Sequence, residues 1–241
     1  MSSLPAWMPL LLRQISWGCS HSPLLAVRDD NEEAIEAGRV ICRELWPFIQ
    51  QLPENISAVR SAAPESMEAA AKLLTELADD ERIYQQLFIK QCHLAGLKTE
   101  ELASSKVSAS TQQLCDAMSA YCKSDDYYKG ILAVITAELA ATAFSRNALP
   151  LFEKYFAIHA GLYSHTDIEE GLAWLKLHTK PQTKHALWLK RMLGDLEAHS
   201  EQRLPEPVEA MLHSIFVFWH CPTTTANAIQ PGMDVTFATK S

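Results

Sequence analysis

Glycine is scarce in this chain, with only 8 residues among 241, about half of its usual frequency. The sequence also lacks a Gly-x-Gly-x-x-Gly motif, a P-loop and a Gly-x-Ser-x-Gly motif. These absences argue against a turn-rich all-β fold and against a fold that cradles phosphates in a glycine loop. We therefore expect neither a nucleotide nor a flavin as cofactor.

Clusters of basic residues are missing as well. The chain has 21 Lys and Arg residues against 29 Asp and Glu residues, which gives a formal net charge of −8. A protein that binds nucleic acid usually concentrates cations on one face, because they must neutralise the phosphate backbone. We therefore expect no nucleic-acid partner.

Paired cysteine motifs and long apolar runs are also absent. The six cysteines are dispersed and form no Cys-x-x-Cys pair, which is typical of reduced thiols in a cytoplasmic protein. The apolar run Ala6–Leu12 follows no basic segment and is closed by Arg13, so it is too short for a signal peptide or a membrane span. We expect a cytoplasmic protein with no membrane contact.

The residues that are abundant, Ala, Leu, Glu and Lys, favour helices. Apolar positions recur at helical spacing and predict helices over 30–51, 64–94, 112–123, 127–146, 150–161, 167–197 (interrupted at Pro181) and 205–219. No linker divides the chain. We therefore predict one all-α domain over residues 1–241, with about seven or eight helices and a polar C-terminal tail at 223–241.

Two glutamates lie where apolar side chains are expected. Glu81 continues an apolar seam at helical spacing, so it faces inward. That seam is Leu74, Leu77, Glu81, Tyr84 and Phe88. Glu138 is the one charged residue in the run 131–144, and a helix that is apolar on nearly every side is buried. A buried carboxylate costs several kcal/mol unless it is paired, protonated or bound to a metal.

A third polar interruption consists of His178, Gln182 and His185. The two histidines are seven residues apart, so both imidazoles lie on one helix face with Gln182 between them. In one interpretation, Glu81 and Glu138 hydrogen-bond to the histidines and form a polar plug in the core. In the other, two Glu and two His residues hold a non-heme iron or manganese ion between helices.

The sequence resembles the heme-oxygenase-like helical superfamily, which includes the TENA/THI-4 proteins, pyrroloquinoline-quinone synthase and the CADD-type diiron oxidases. The resemblance spans about Ser22 to Trp188, and the helices around Glu81 and Glu138 and the stretch GLAWLKLHTKPQTKHALWL at 171–189 carry it. It implies a heme-oxygenase-like multi-helix bundle.

The resemblance also implies a ligand set with departures from the diiron pattern. The motif His-x3-Asp-x2-His reads His178-x3-Gln182-x2-His185 here, so both histidines match and the acid is an amide. Glu138 matches the bridging glutamate. The histidine expected after Glu81 is replaced by Tyr84 or Phe88.

Four ligands therefore remain: Glu81, Glu138, His178 and His185. They suit a single iron or manganese ion better than two. Tyr84 and Gln182 are substituted positions: Tyr84 is a possible ligand of ferric iron as a phenolate, and Gln182 a possible weak ligand through its amide oxygen.

The function implied by the resemblance is a non-heme metal-dependent oxidase or oxygenase that acts on a small organic substrate. Phe88, Trp174 and Trp188 are expected to line the substrate cavity. Alternatives are a metal-free module that binds a small ligand or a protein, and a cofactor-free enzyme similar to the quinone synthase. A homodimer is compatible with the resemblance and with the apolar stretch Ile215–Trp219.

Two other activities of the superfamily are disfavoured. The thiamin-salvaging TenA enzymes use a cysteine on the middle buried helix, and the run 131–144 contains none. Heme oxygenase has a glycine-bearing distal helix, and no glycine-rich stretch follows His21 at a suitable distance. We therefore expect no heme.

Overall fold

A computed structural model describes residues 5–26, 31–104, 106–158, 161–179 and 203–220. Within these ranges the backbone forms eight α-helices and no β-strand, which confirms the predicted all-α fold. The helices are α1 (Met8–Ser20), α2 (Asn31–Ser61), α3 (Glu68–Leu94), α4 (Thr99–Ser104), α5 (Ala109–Cys122), α6 (Tyr127–Ile158), α7 (His165–Thr179) and α8 (Glu206–His220). Two short 3-10 turns, Pro23–Leu25 and Glu65–Met67, precede α2 and α3. None of the described helices is both long and apolar enough to cross a membrane.

Prolines lie inside the two longest helices, α2 and α6, without ending them. Helix α2 continues past residue 51 and contains Pro47 and Pro53, and α6 continues through Pro150. The predicted helix end at Gln51 and the separate helix beginning at Pro150 are therefore wrong. A proline inside a helix costs about 3 kcal/mol because it removes a hydrogen bond and crowds the preceding turn. Apolar side chains buried on both sides of each proline offset this cost.

Helix α1 is a helix that the sequence pattern did not predict. Its buried positions, Met8, Leu11, Ile15 and Cys19, follow helical spacing and face the core. The helix packs against α6 and α8. The Ser22 hydroxyl, just after α1, donates to the Trp219 carbonyl of α8 at 2.6 Å. The short apolar run near the start of the chain is therefore part of the core.

The apolar stretch of α8 is buried within the chain. Ile215, Phe216, Phe218 and Trp219 are each less than one tenth exposed. Helix α8 packs against α1, α5 and α6. These side chains therefore belong to the core of one copy and do not supply an exposed surface for a dimer.

The imidazole of His220, at the end of α8, is partly buried and lies near His21. Burial lowers the pKa of its imidazole below the ordinary value, and the nearby His21 lowers this pKa further. The unfolded chain therefore takes up this proton at a higher pH than the folded chain does. The contribution of His220 to the free energy of unfolding is complete above the ordinary histidine pKa. It is lost as the pH falls through the lower pKa that His220 has in the folded protein.

We expect the free energy of unfolding to fall as the pH is lowered from about 7 to about 5, and His220→Gln to reduce this slope. Urea denaturation at several pH values measures the effect. His213→Gln is the matched control, because His213 is exposed on the same helix. An unchanged slope in the His220 variant would contradict the prediction.

A carboxylate of α2 anchors the start of α5. One oxygen of the buried Glu44 accepts hydrogen bonds from the Ser108 amide (3.0 Å), the Ser108 hydroxyl (2.7 Å) and the Thr111 hydroxyl (2.5 Å). The Ser108 hydroxyl also accepts from the Thr111 amide as the N-cap of α5. Helix α5 is therefore fixed to α2 by a polar cluster.

Glu44→Gln is expected to lower the free energy of unfolding by about 1–3 kcal/mol, because the charge-assisted hydrogen bonds at this helix start are weakened. Chemical denaturation monitored by circular dichroism measures the loss. Glu36→Gln on the same helix should change little, since that side chain is 60% exposed and its nearest cation lies 3.9 Å away. Equal stability of the two variants would argue against the anchoring role.

Two glycines set how α3 ends and how closely α7 approaches it. Gly96 has φ +83°, a left-handed conformation that ends α3 after Leu94, as predicted. At Gly171 of α7, an added Cβ would lie 2.3 Å from Cδ1 of Leu94. Glycine therefore allows α7 to pack tightly on α3, which brings Trp174 and His178 of α7 toward the interior.

Candidate functional site

The bundle contains a partly open cavity of about 60 Å³ between six helices. Its walls are mostly aliphatic and aromatic, and its polar side chains within the described residues are Glu81 of α3, Glu138 of α6 and His178 of α7. The aromatic walls are Phe48, Phe144, Trp174, Phe218 and Trp219. An apolar cavity with a few convergent polar groups is the usual form of a small-molecule site.

The three polar side chains are well buried. Glu81 is 2% exposed, Glu138 is 6% exposed and His178 is 9% exposed. Each comes from a different helix, and α7 packs against both α3 and α6. The inward orientation predicted for both glutamates is therefore confirmed, and the structure brings them to one cavity together with His178.

The tautomer of His178 follows from its backbone contact. Its Nδ1 lies 2.8 Å from the Trp174 carbonyl oxygen, which can only accept, so Nδ1 carries a proton. In the neutral imidazole the lone pair is then on Nε2. The ring lies 4.3 Å from the Trp174 ring and meets Tyr84 edge-on at 5.9 Å between centroids. These contacts fix the orientation of the imidazole.

Tyr84 is half-buried and lies beside His178 outside the described cavity lining. Burial raises the pKa of its phenol to about 12, and the carboxylates of Asp80, Glu81 and Glu138 contribute to the rise. The phenol therefore stays protonated at neutral pH. As placed, Tyr84 is a neutral hydroxyl group next to the site.

Trp174 and Phe88, both predicted to line the cavity, lie at different distances from it. Trp174 lines it. Phe88 is fully buried and is not among the described lining residues. Its ring meets Trp174 edge-on at 5.1 Å and lies parallel to Trp46 at 6.5 Å. Phe88 therefore supports Trp174 from behind.

Gln182, His185 and Trp188 lie outside the residues that the structure describes. Within the described ranges, no three His, Cys, Asp or Glu side chains lie close enough together to hold a metal ion. Glu81, Glu138 and His178 therefore share one cavity without forming such a group by themselves. The four-ligand metal site remains a prediction.

The remaining walls come from helices that the sequence analysis did not connect with the site. Leu45, Phe48 and Ile49 of α2 and Leu114 of α5 contribute aliphatic and aromatic surface. Their helical spacing marks them as inward-facing, but spacing gives no sign that they border a cavity.

Cysteine chemistry does not contribute to this cavity among the described residues, since no cysteine lines it. The five described cysteines are buried. Burial raises the pKa of Cys19, Cys115 and Cys122 to about 12, and raises that of Cys92 well above its ordinary value. Such thiols are weak nucleophiles at neutral pH.

No protein-family model and no curated protein matches this chain. Several solved structures match it. A TenA homologue from Pseudomonas syringae superposes with a TM-score of 0.64 at 14% identity, covering 90% of this chain and 92% of that one. A domain of unknown function with a heme oxygenase-like fold, from Shewanella denitrificans, gives a TM-score of 0.60 at 14% identity, covering 86% and 83%.

A TenA homologue from P. horikoshii gives a TM-score of 0.51 at 13% identity, covering 88% of this chain and 97% of that one. Identities this low establish the fold and leave the activity open. This chain therefore has the heme oxygenase-like fold that the TenA homologues share.

Proposed function

We propose that the cavity binds one iron or manganese ion and a small organic molecule, and that the protein is a non-heme metal-dependent oxidase or oxygenase. The observation that carries the proposal is the arrival of two carboxylates and one imidazole, from three helices, at one apolar cavity. Carboxylate oxygens and imidazole nitrogen are the ligand types that non-heme iron and manganese prefer.

The chemistry of the donor set fits such an ion. The Nδ1–H of His178 donates to the Trp174 carbonyl, and a metal-ligating histidine typically makes this kind of contact with its other nitrogen. Glu81 and Glu138 would provide negative charge, and His185 is the fourth ligand that the resemblance implies. When bound, the ion would supply the redox chemistry needed for reaction with O₂.

The chain's own residues would define the environment of the reaction. The aliphatic and aromatic walls exclude water and favour an organic molecule with an apolar body. The packing of Trp174 and Tyr84 on His178 holds the imidazole in one orientation. Low exposure of both carboxylates strengthens their attraction for a cation, because little water screens it.

Anaerobic loading of the purified protein with Fe(II) or Mn(II), followed by desalting and elemental mass spectrometry, tests the proposal. We expect about one equivalent of metal in the natural protein and a large loss in Glu81→Gln. Glu76→Gln is the matched control, since Glu76 is exposed on the same helix. Less than about a tenth of an equivalent in the natural protein would overturn the metal proposal.

A second candidate is a metal-free site that binds a small molecule on the same fold. The finding that favours it is the lack, within the described ranges, of a three-residue ligand group. The protonated phenol of Tyr84 beside His178 also suits neutral hydrogen bonding. A small organic molecule that co-purifies with protein free of iron and manganese would support this candidate over the first.

A further inference from the structure

The indole N–H of Trp174 has no partner among the residues that the structure describes. The side chain lines the cavity and is 3% exposed. Its Nε1 has no hydrogen-bond acceptor within the described part of the chain. A buried donor left without an acceptor is unfavourable, so a ligand that accepts from it would be bound more tightly. Contacts with Phe88 and His178 hold the ring in place.

We infer that Trp174 donates this hydrogen bond to the molecule that occupies the cavity, and that this molecule carries an uncharged hydroxyl group on a small apolar body. Trp174 is then a residue that orients the ligand and selects its polar group. The inference depends on the cavity being a binding site, as proposed above, but it does not depend on a metal.

The polar groups of the cavity favour a hydroxyl over other groups. Trp174 offers a donor, whereas Glu81 and Glu138 offer acceptors. A hydroxyl oxygen accepts from the indole while its proton is donated to a carboxylate. A ketone donates nothing to the carboxylates, and an ammonium group accepts nothing from Trp174.

Charge argues against an anionic ligand. Two carboxylates line the cavity, and no Lys or Arg is among the described lining residues. A third negative charge in this apolar environment would be repelled. The ligand is therefore expected to carry no negative charge, and the Trp174 donor, which an ammonium group cannot satisfy, favours a neutral polar group.

Size restricts the apolar body. A volume of 60 Å³ accommodates about four water-sized groups, which matches a short aliphatic chain with one hydroxyl. Propan-1-ol is therefore a suitable probe. Its isostere 1-chloropropane has a similar shape but lacks the hydroxyl.

The direct test follows the tryptophan indole signals by ¹H–¹⁵N nuclear magnetic resonance in the full-length protein with EDTA present. The chain has six tryptophans, and Trp174→Phe identifies the signal of Trp174 by its loss. We expect saturable movement of this signal to lower field with propan-1-ol and tighter binding of propan-1-ol than of 1-chloropropane. A Trp174 signal that stays in place at saturation would overturn the inference.

The variant provides a second test. Loss of one neutral hydrogen bond should weaken propan-1-ol binding roughly three- to tenfold in Trp174→Phe and leave 1-chloropropane binding unchanged. Trp46→Phe is the control, since Trp46 is buried and does not line the cavity. The comparison of the two probes in the natural protein remains valid if Trp174→Phe fails to fold.

Charged probes test the ligand class. Propionate or propan-1-amine binding as tightly as propan-1-ol would contradict the assignment of a neutral hydroxyl. Because EDTA is present throughout, alcohol binding that moves the Trp174 signal supports the inference whatever the result of metal loading. Failure of metal loading alone would overturn only the metal proposal.

Discussion

Replacing Glu138 by glutamine is expected to raise the free energy of unfolding of the metal-free protein by about 1–3 kcal/mol, while it weakens iron or manganese binding about 100-fold or more. Glu138 is 6% exposed on a helix whose neighbouring positions are nearly all buried, and it shares a cavity with Glu81. A neutral amide of the same shape relieves the desolvation of the charge and the repulsion between two carboxylates. A residue kept for function at the expense of stability behaves in this way.

Chemical denaturation in EDTA and metal titration of the same samples measure the two effects. Glu153→Gln should change neither, because Glu153 is exposed on the same helix. Loss of stability in Glu138→Gln would instead favour a structural role, in which this carboxylate holds the helices together by hydrogen bonds. The sign of the change in the free energy of unfolding therefore distinguishes a carboxylate kept for metal binding from one that stabilises the core by hydrogen bonds.

Replacing Phe88 by alanine is expected to lower the free energy of unfolding by about 3–5 kcal/mol. Phe88 is fully buried between Trp46 and Trp174, so its removal deletes a large apolar surface and leaves a void behind the cavity wall. Trp174 then loses the ring that supports it. Urea denaturation measures the loss of stability.

The matched control for Phe88 is Ile83→Ala on the same helix. Ile83 is 61% exposed, so its truncation should change stability by less than about 0.5 kcal/mol. The void left by Phe88→Ala should also admit xenon or a small apolar molecule, as dry engineered cavities do. A loss below about 1 kcal/mol would contradict the structural role given to Phe88.

Much of the fold could be predicted from local patterns. The end of α3 at Leu94 followed from Gly96, because a left-handed residue stops a helix at little cost only when it lacks a Cβ. Local rules failed at Pro53 and Pro150. The penalty of a proline is a local quantity, but the burial that offsets it depends on neighbouring helices.

Helix α1 was missed for a related reason. Met8, Leu11 and Ile15 have helical spacing, but in the sequence alone they belong to a short apolar segment with no visible partner. Its face becomes core only because α6 and α8 lie against it. A short amphipathic segment is a marginal helix without such a partner.

The inward orientation of Glu81 and Glu138 follows from the helical pattern alone, because both lie within the apolar stripe that a helix turns toward the core. That these two carboxylates share one cavity with His178 depends on how the helices pack, since helical periodicity gives a direction on each helix and not the partner that it meets. The same holds for Trp174 and Phe88. Both are buried aromatic residues by pattern, yet helix packing places one on the cavity wall and the other behind it.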